Sequence, residues 1–254
     1  MIRPISDLPA LVGAPDWVEV EQAGGFFKAP GSAFQSNAQD IYQLTALQVP
    51  FAASFADVGP LAMTPATSGT VAIVGGAAVF SGTGAAGGEV DYTTALAFGA
   101  SAFDIGAPFT IEGWFKTASI VNFATLMERS VGGASPWGLI INNAPGDGKL
   151  AFYDPDGAPA ALTTHAWNDN VRHHVRVVKY WNSTMIWVDG ILDAHTITNP
   201  PAGWATSNNT VKFGNSANAG RFFIGSLDNW RIVKGIAVST LPKFTVPAPP
   251  FPTS

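Results

Sequence analysis

The stretch VRHHVRVVKYWNSTMIWVDG, residues 171–190, carries two of the chain's four histidines side by side, with Trp187 and Asp189 close behind. Paired histidines suggest a metal site or a general base, whereas the valines around them suggest a strand. In an extended strand His173, Val175 and Val177 face one way and His174, Arg176 and Val178 the other. Two ligands of one metal must converge, and neighbours on a strand diverge. The remaining histidines, His165 and His195, fall in expected loops, and no H-x-H, H-x3-H or HExxH spacing occurs. The stretch therefore reads as a core hairpin whose imidazoles are partly buried and hydrogen-bonded to backbone or hydroxyl groups. WNS (181–183) turns the chain, and Asp189-Gly190 reverses it tightly into ILDAHTI.

Working outward, the same short alternating runs recur from about residue 44. Strands are expected at 77–82, 109–116, 123–130, 137–142, 149–154, 173–180, 184–190, 210–215 and 222–235, separated by turn signals such as PGDG (145–148) and DPDG (154–157). In 109–116 Phe109, Ile111, Gly113 and Phe115 share one face, with Trp114 an apolar exception on the other. Only 36–48, where Ile41, Leu44 and Leu47 sit three apart, suggests a turn or two of helix. The fold class is all-β: an antiparallel two-sheet sandwich of about a dozen strands, occupying 44–254. Residues 1–43 form an extended arm, broken by Pro4, Pro9, Pro15 and Pro30. Its Trp17, Phe26, Phe27 and Phe34 are large apolar groups suited to docking on a neighbouring subunit.

Composition narrows the classes further. Of 254 residues, 47% are hydrophobic and 12% charged, about half the usual charged share. That suits a turn-rich β protein with 27 Gly and 19 Pro, or a subunit hiding surface in an assembly. The net charge is −5 and no basic run exceeds two residues, which argues against nucleic acid as a partner. With no cysteine there is no disulfide, thiolate metal site or thiol nucleophile. The N-terminus lacks a signal-peptide core, and the most apolar window, 71–80, is too short to span a bilayer. The expectation is a protein made in the cytoplasm without a signal peptide and without a membrane role.

Five phrases, in order, carry a family resemblance: GGAAVFSGTG (75–84), FDIGAPFTIEGWFK (103–116), HHVRVVKYWNSTMIWVDG (173–190), FIGSLDNWRIVKGIA (223–237) and FTVPAPPFP (244–252). Together they resemble the concanavalin A-like, laminin-G-like jelly-roll superfamily, and within it the modules of tailed-bacteriophage structural proteins, which close on a proline-rich segment. The family usually places tryptophan just before the histidine pair; here that position is Arg172, with Trp167 five residues earlier. The resemblance implies a jelly roll covering 44–254, and fold alone does not give function.

Catalysis finds little support. Glycosidases of this fold carry acidic residues at alternating positions of one strand. The only glutamates are Glu19, Glu21, Glu89, Glu112 and Glu128; Glu19 and Glu21 alternate in the arm, and Glu112 has no acidic residue at 110 or 114. No enzyme activity and no cofactor are expected. Calcium, often bound in a rim loop of laminin-G-like modules, finds weak candidates in Asp147, Asp154 and Asp156, which also suit plain turns. A glycan site wants an exposed aromatic beside amides. Trp204 with Asn208 and Asn209, or Trp137 with Asn142 and Asn143, would serve. Trp114, Trp187 and Trp230 read as packing residues. The leading expectation is a non-catalytic virion protein, a capsid decoration or tail-associated subunit. It would be homo-oligomeric, dock on capsid or tail proteins through its arm, and display the sandwich outward. The alternative is an adhesin for host-surface glycans.

Overall fold

The computed structural model describes residues 17–22, 25–30, 44–83, 87–94, 109–131, 134–153, 159–180, 183–197, 209–218, 220–234, 237 and 242–251, with 17–30 described by backbone alone. Every regular element among them is a strand. Among the described residues, strands β1 (Trp17–Gln22) and β2 (Gly25–Pro30) pair only with each other, as an antiparallel hairpin. The sandwich follows, with β3 (Thr45–Val49), β4 (Pro65–Ser68), β5 (Val71–Val74), β6 (Ala77–Phe80), β7 (Glu89–Thr94), β8 (Phe109–Lys116) and β9 (Ala124–Val131). It continues with β10 (Ala134–Ile141), β11 (Leu150–Tyr153), β12 (Pro159–Leu162), β13 (Arg172–Tyr180) and β14 (Ser183–Val188). The last strands are β15 (Ile191–Ile197), β16 (Asn209–Phe213) and β17 (Gly225–Lys234).

Two antiparallel sheets face each other. One runs β12-β11-β10-β9-β16-β7-β4; the other runs β15-β14-β13-β8-β17-β6-β5, with β3 also paired to β17. β6 pairs Gly225–Leu227 of β17 and β3 pairs Trp230–Val233, so a bulge between Asp228 and Arg231 lets two short strands share one edge. The expected helical turn is corrected here: 36–43 lie outside the described residues, and Thr45–Val49 is strand, with Leu47 and Val49 fully buried. Packing against β17 overrides a weak three-residue period. His195, expected in a loop, sits on β15.

The alternation of β8 builds the core. Phe109, Ile111 and Phe115 point between the sheets, and inward-facing Gly113 leaves room for Trp230, whose indole any Cβ at 113 would overlap. Phe213 lies at the aromatic centre, edge-on to Phe51, Tyr92 and Trp230 at centroid distances of 5.5, 5.9 and 5.8 Å. A second, smaller core lies on the outer face of the eight-stranded sheet, where Val178, Met185 and Trp187 pack with Phe244 and Leu192. Residues 242–251 lie across that face as a strap. Lys243 bridges Ile191, Phe244 N–H donates to Gly190 O, and Leu192 N–H donates to Pro242 O. Asp189 and Gly190 take φ of +50° and +79°, the backbone of the expected tight reversal. Gly190 has a second reason to lack a side chain, because a Cβ there would overlap the Phe244 carbonyl.

Candidate functional site

β8, β13 and β17 lie side by side, and their outward residues align in rows. Glu112 stands across from Arg176 on one side and Arg231 on the other; Trp114 stands across from His174 and Asp228. Glu112 is completely buried. Its Oε2 accepts from Arg176 Nε at 2.8 Å, and its Oε1 from Arg231 Nε at 2.7 Å. His174 Nε2 lies 3.3 Å from Oε2. Burial pushes the Glu112 carboxyl up, but His174 and the two guanidinium groups outweigh it and hold it well below the usual carboxylate range. The strap caps this row: Arg176 stacks under Phe244 (3.6 Å to the ring centroid) and Arg231 under Phe251 (4.0 Å). A carboxylate so paired and covered has no access to substrate.

The histidines diverge, as the alternation requires, but their partners differ from expectation. His173 Nδ1 lies 2.7 Å from Asp189 Oδ2 and Nε2 lies 3.1 Å from Asp169 Oδ1, so carboxylates rather than backbone or hydroxyl groups hold it. Asp169 comes from the segment just before β13 and Asp189 from the β14–β15 turn, two contacts that the alternation along β13 does not encode. Trp167 lies edge-on to His173 at 5.0 Å and donates its indole N–H to Asp193. Arg172, where the family places tryptophan, pairs bidentately with Asp228 and stacks on Trp114.

Beyond the strapped rows lies the outermost row of the same face, Val79, Ser226 and Lys116 on β6, β17 and β8. With the 117–119 loop, Asn170 and Ile224 it forms an open groove of ≈ 480 Å³. The side chains of Lys116, Asn170 and Ser226 carry no hydrogen bond or ion pair to another described residue. Gly225, at φ +151°, lies where a Cβ would overlap the Lys116 carbonyl. Exposed Ile120 and Val171 sit on the two loops that rim the groove.

The loop bearing Ile120 is tied to the 142–148 turn by Asn142. Its amide donates to Ser119 O and Val121 O, both at 2.9 Å, and its Oδ1 accepts from Gly148 N–H at 3.0 Å. It is fully buried at φ +63°. The Trp137–Asn142–Asn143 sugar site is thereby corrected. Trp137 is fully buried, stacked on Phe152, Asn142 is a knot between loops, and Asn143 Oδ1 accepts from Tyr153. Asn142→Ala is expected to lose about 2–4 kcal/mol, from unpaired buried groups plus left-handed backbone on a non-glycine residue. Urea unfolding measures it.

The other expected residues divide by position. Trp204, Asn208, Phe34, Asp154 and Asp156 lie outside the described residues, and Trp17, Phe26, Phe27 and Asn209 are placed by backbone only. The Asp147 carboxylate accepts from Ala144 and Lys149 N–H, the work of a turn. No cluster of three or more His, Asp or Glu suited to a metal occurs among the described residues. Trp230 belongs to the inter-sheet core, whereas Trp114 and Trp187 are buried on the outer face.

One acidic pair escaped the glutamate-by-glutamate reading: Glu89 and Asp91 alternate on β7. Lys212 spans both, 2.9 Å from Glu89 Oε1 and 2.8 Å from Asp91 Oδ2. Partial burial, eased by Lys212, pushes the Asp91 carboxyl up to about 6. Carboxyl NMR is expected to show Asp91 titrating near that pH, and Lys212→Met should raise the midpoint further. Glu128 is buried and accepts from Ser216 Oγ and Ala217 N–H.

With this geometry established, comparison with known proteins defines the class. Residues 87–239 match the Concanavalin A-like lectin/glucanases superfamily, and the chain belongs to that family. No curated protein sequence matches it. Similar solved structures include the binding domain of botulinum neurotoxin DC with rat synaptotagmin II, at 14% identity and TM-score 0.57, covering 78% of this chain and 50% of that one. The same binding domain in complex with SialylT shows 16% identity, TM-score 0.57 and the same coverage. A botulinum neurotoxin type C structure, described as dependent on two ganglioside molecules for cell entry, shows 13% identity and TM-score 0.59, covering 79% and 50%. The chain spans about half the length of these proteins, and at such identity the likeness establishes the fold.

Proposed function

We propose that this chain is a non-catalytic recognition module that offers the loop-rimmed groove to a surface glycan or a protein receptor. The observation that carries this reading is the groove itself, where the side chains of Lys116, Asn170 and Ser226 pair with no other described residue. The carboxylates that hydrolysis would need are instead tied up: Glu112 and Glu128 inside, Glu89 and Asp91 on Lys212. Similar solved domains bind a glycan, SialylT, and a protein, synaptotagmin II, which supports both ligand classes on this architecture. The stretch bearing Trp204, Asn208 and Asn209 remains a second proposed contact. Glycan-array and whole-cell binding, with Lys116→Ala, Asn170→Ala and Trp204→Ala compared, test the reading. Saturable binding weakened by the groove substitutions supports it. Loss with Trp204→Ala alone moves the site to that stretch, and absence of saturable binding to glycans and cells refutes it.

A second reading concerns where the module is carried. The β1–β2 hairpin forms its own two-stranded sheet, and such a hairpin is marginal alone in water. Together with the phage-like sequence phrases, this favours residues 1–43 as an arm docking on capsid or tail proteins of a virion. Deleting 1–43 should leave a folded sandwich that no longer associates with particles. A full chain that stays monomeric, with no affinity for virion shells, would sink it.

A further inference from the structure

The strap differs from the strands it covers. Each interior strand is paired with a neighbouring strand on both sides. The strap is held by the two backbone bonds at Phe244 and Leu192, by Gln48 Nε2–H donating to Phe251 O at 3.0 Å, and by its aromatic anchors. It is therefore an element that can lift without the sheet coming apart.

His174 lies directly beneath it. The ring is almost wholly buried between Trp114, at a centroid distance of 4.7 Å, and Phe244, at 5.9 Å. Nε2 lies 3.3 Å from Glu112 Oε2 without making a hydrogen bond, and both ring nitrogens are buried without a hydrogen-bond partner, so whichever of them holds the ring hydrogen, a second proton must go to a buried, unpartnered nitrogen. The new N–H would thus be an unsatisfied buried donor on a charged ring, an expensive arrangement. The charged groups around it nearly balance. From β8 comes Glu112 and from β13 itself Arg176, while β17 supplies Arg231 and Asp228, the latter paired with Arg172. The turn supplies Asp189, whose Oδ1 accepts the His174 backbone N–H. Glu112 already serves two guanidinium groups, so it has little left for a third cation.

We propose that residues 242–251 are an acid-opened latch: lifting Phe244 exposes His174 to water, where its ring accepts a proton that the latched state excludes. Burial, partly offset by Glu112, lowers the affinity of the latched imidazole for that proton. The sign follows from this. The latched state is favoured above the ordinary imidazole value, and the advantage is lost progressively as pH falls below it. Opening uncovers Trp114, Trp187 and the two arginines as one aromatic and cationic surface.

The test is amide hydrogen exchange at Phe244 and Leu192 in the full chain, corrected for intrinsic rates, at pH 7.5 and 5.5. Opening should rise about tenfold over that interval, from an open-state imidazole value near 6.5. Exchange at Val177, inside the sheet, should not follow. His174→Gln should remove the pH dependence, and His173→Gln should keep it. Equal protection at both pH values, pH dependence persisting in His174→Gln, or Val177 following the strap would each overturn the latch. NMR of the wild-type ring provides an independent measurement: a His174 imidazolium with the strap still latched at pH 5.5 also refutes it.

Discussion

Glu112→Gln is expected to destabilise the protein by about 3–5 kcal/mol, because it leaves Arg176 and Arg231 charged, buried and without their counter-ion. For a chain of this size that corresponds to a melting temperature lower by roughly 10 °C. The wild-type contribution also has a pH signature. A carboxyl whose folded value is depressed stabilises above its unfolded value, near 4.5, and loses that contribution as pH falls toward the depressed one. The Gln variant should lack this acid-dependent component. Thermal unfolding of both proteins from pH 7 to pH 3 measures the two effects together. A Glu112→Gln protein of unchanged stability that had lost a measurable turnover would instead make Glu112 a catalytic acid, against the reading given above.

Phe251→Ala is expected to remove about 3–5 kcal/mol, the usual range for emptying a buried phenylalanine site. Phe251 is 2% exposed although it lies only three residues from the end of the sequence. Its ring meets Trp114 at 5.3 Å and covers the Arg231 guanidinium, and its carbonyl accepts from Gln48. Removing the ring therefore both opens a cavity and lets water reach the Glu112 pairs. Tryptophan emission should shift to the red as Trp114 becomes wet, with urea unfolding giving the stability change. Unchanged emission and stability would mean that the strap contributes nothing to the outer face.

Much of the sandwich was legible because alternation is local. FTIEGWFK was read as a strand with the correct inward face and matches β8 residue for residue. Asp189-Gly190 was read as the reversal it is. Strands β4 and β12 were missed, being short and largely lacking the β-branched and aromatic residues that mark a strand, whereas β5, VAIV, carries them and was weighed only as part of an apolar window too short to span a bilayer. β7 was missed because EVDYTT mixes acid and apolar positions, and its Glu89–Asp91 pair went unseen with it. Trp137 was misplaced for a related reason: WGLIIN identifies a strand without saying which face the next layer covers.

Residues 171–190 divide the two contributions. The sequence by itself determined that His173 and His174 point apart, and so could not share a metal, because side-chain direction along a strand depends only on parity. Tertiary structure decided what each histidine meets. Glu112 lies 64 residues from Arg176 and 119 from Arg231, and only the register of β8 between β13 and β17 brings them together. The strap that seals them returns from the far end of the chain. Pairing of that range is set by the energy of the packed whole, since only there do three buried charges and two aromatic lids satisfy one another.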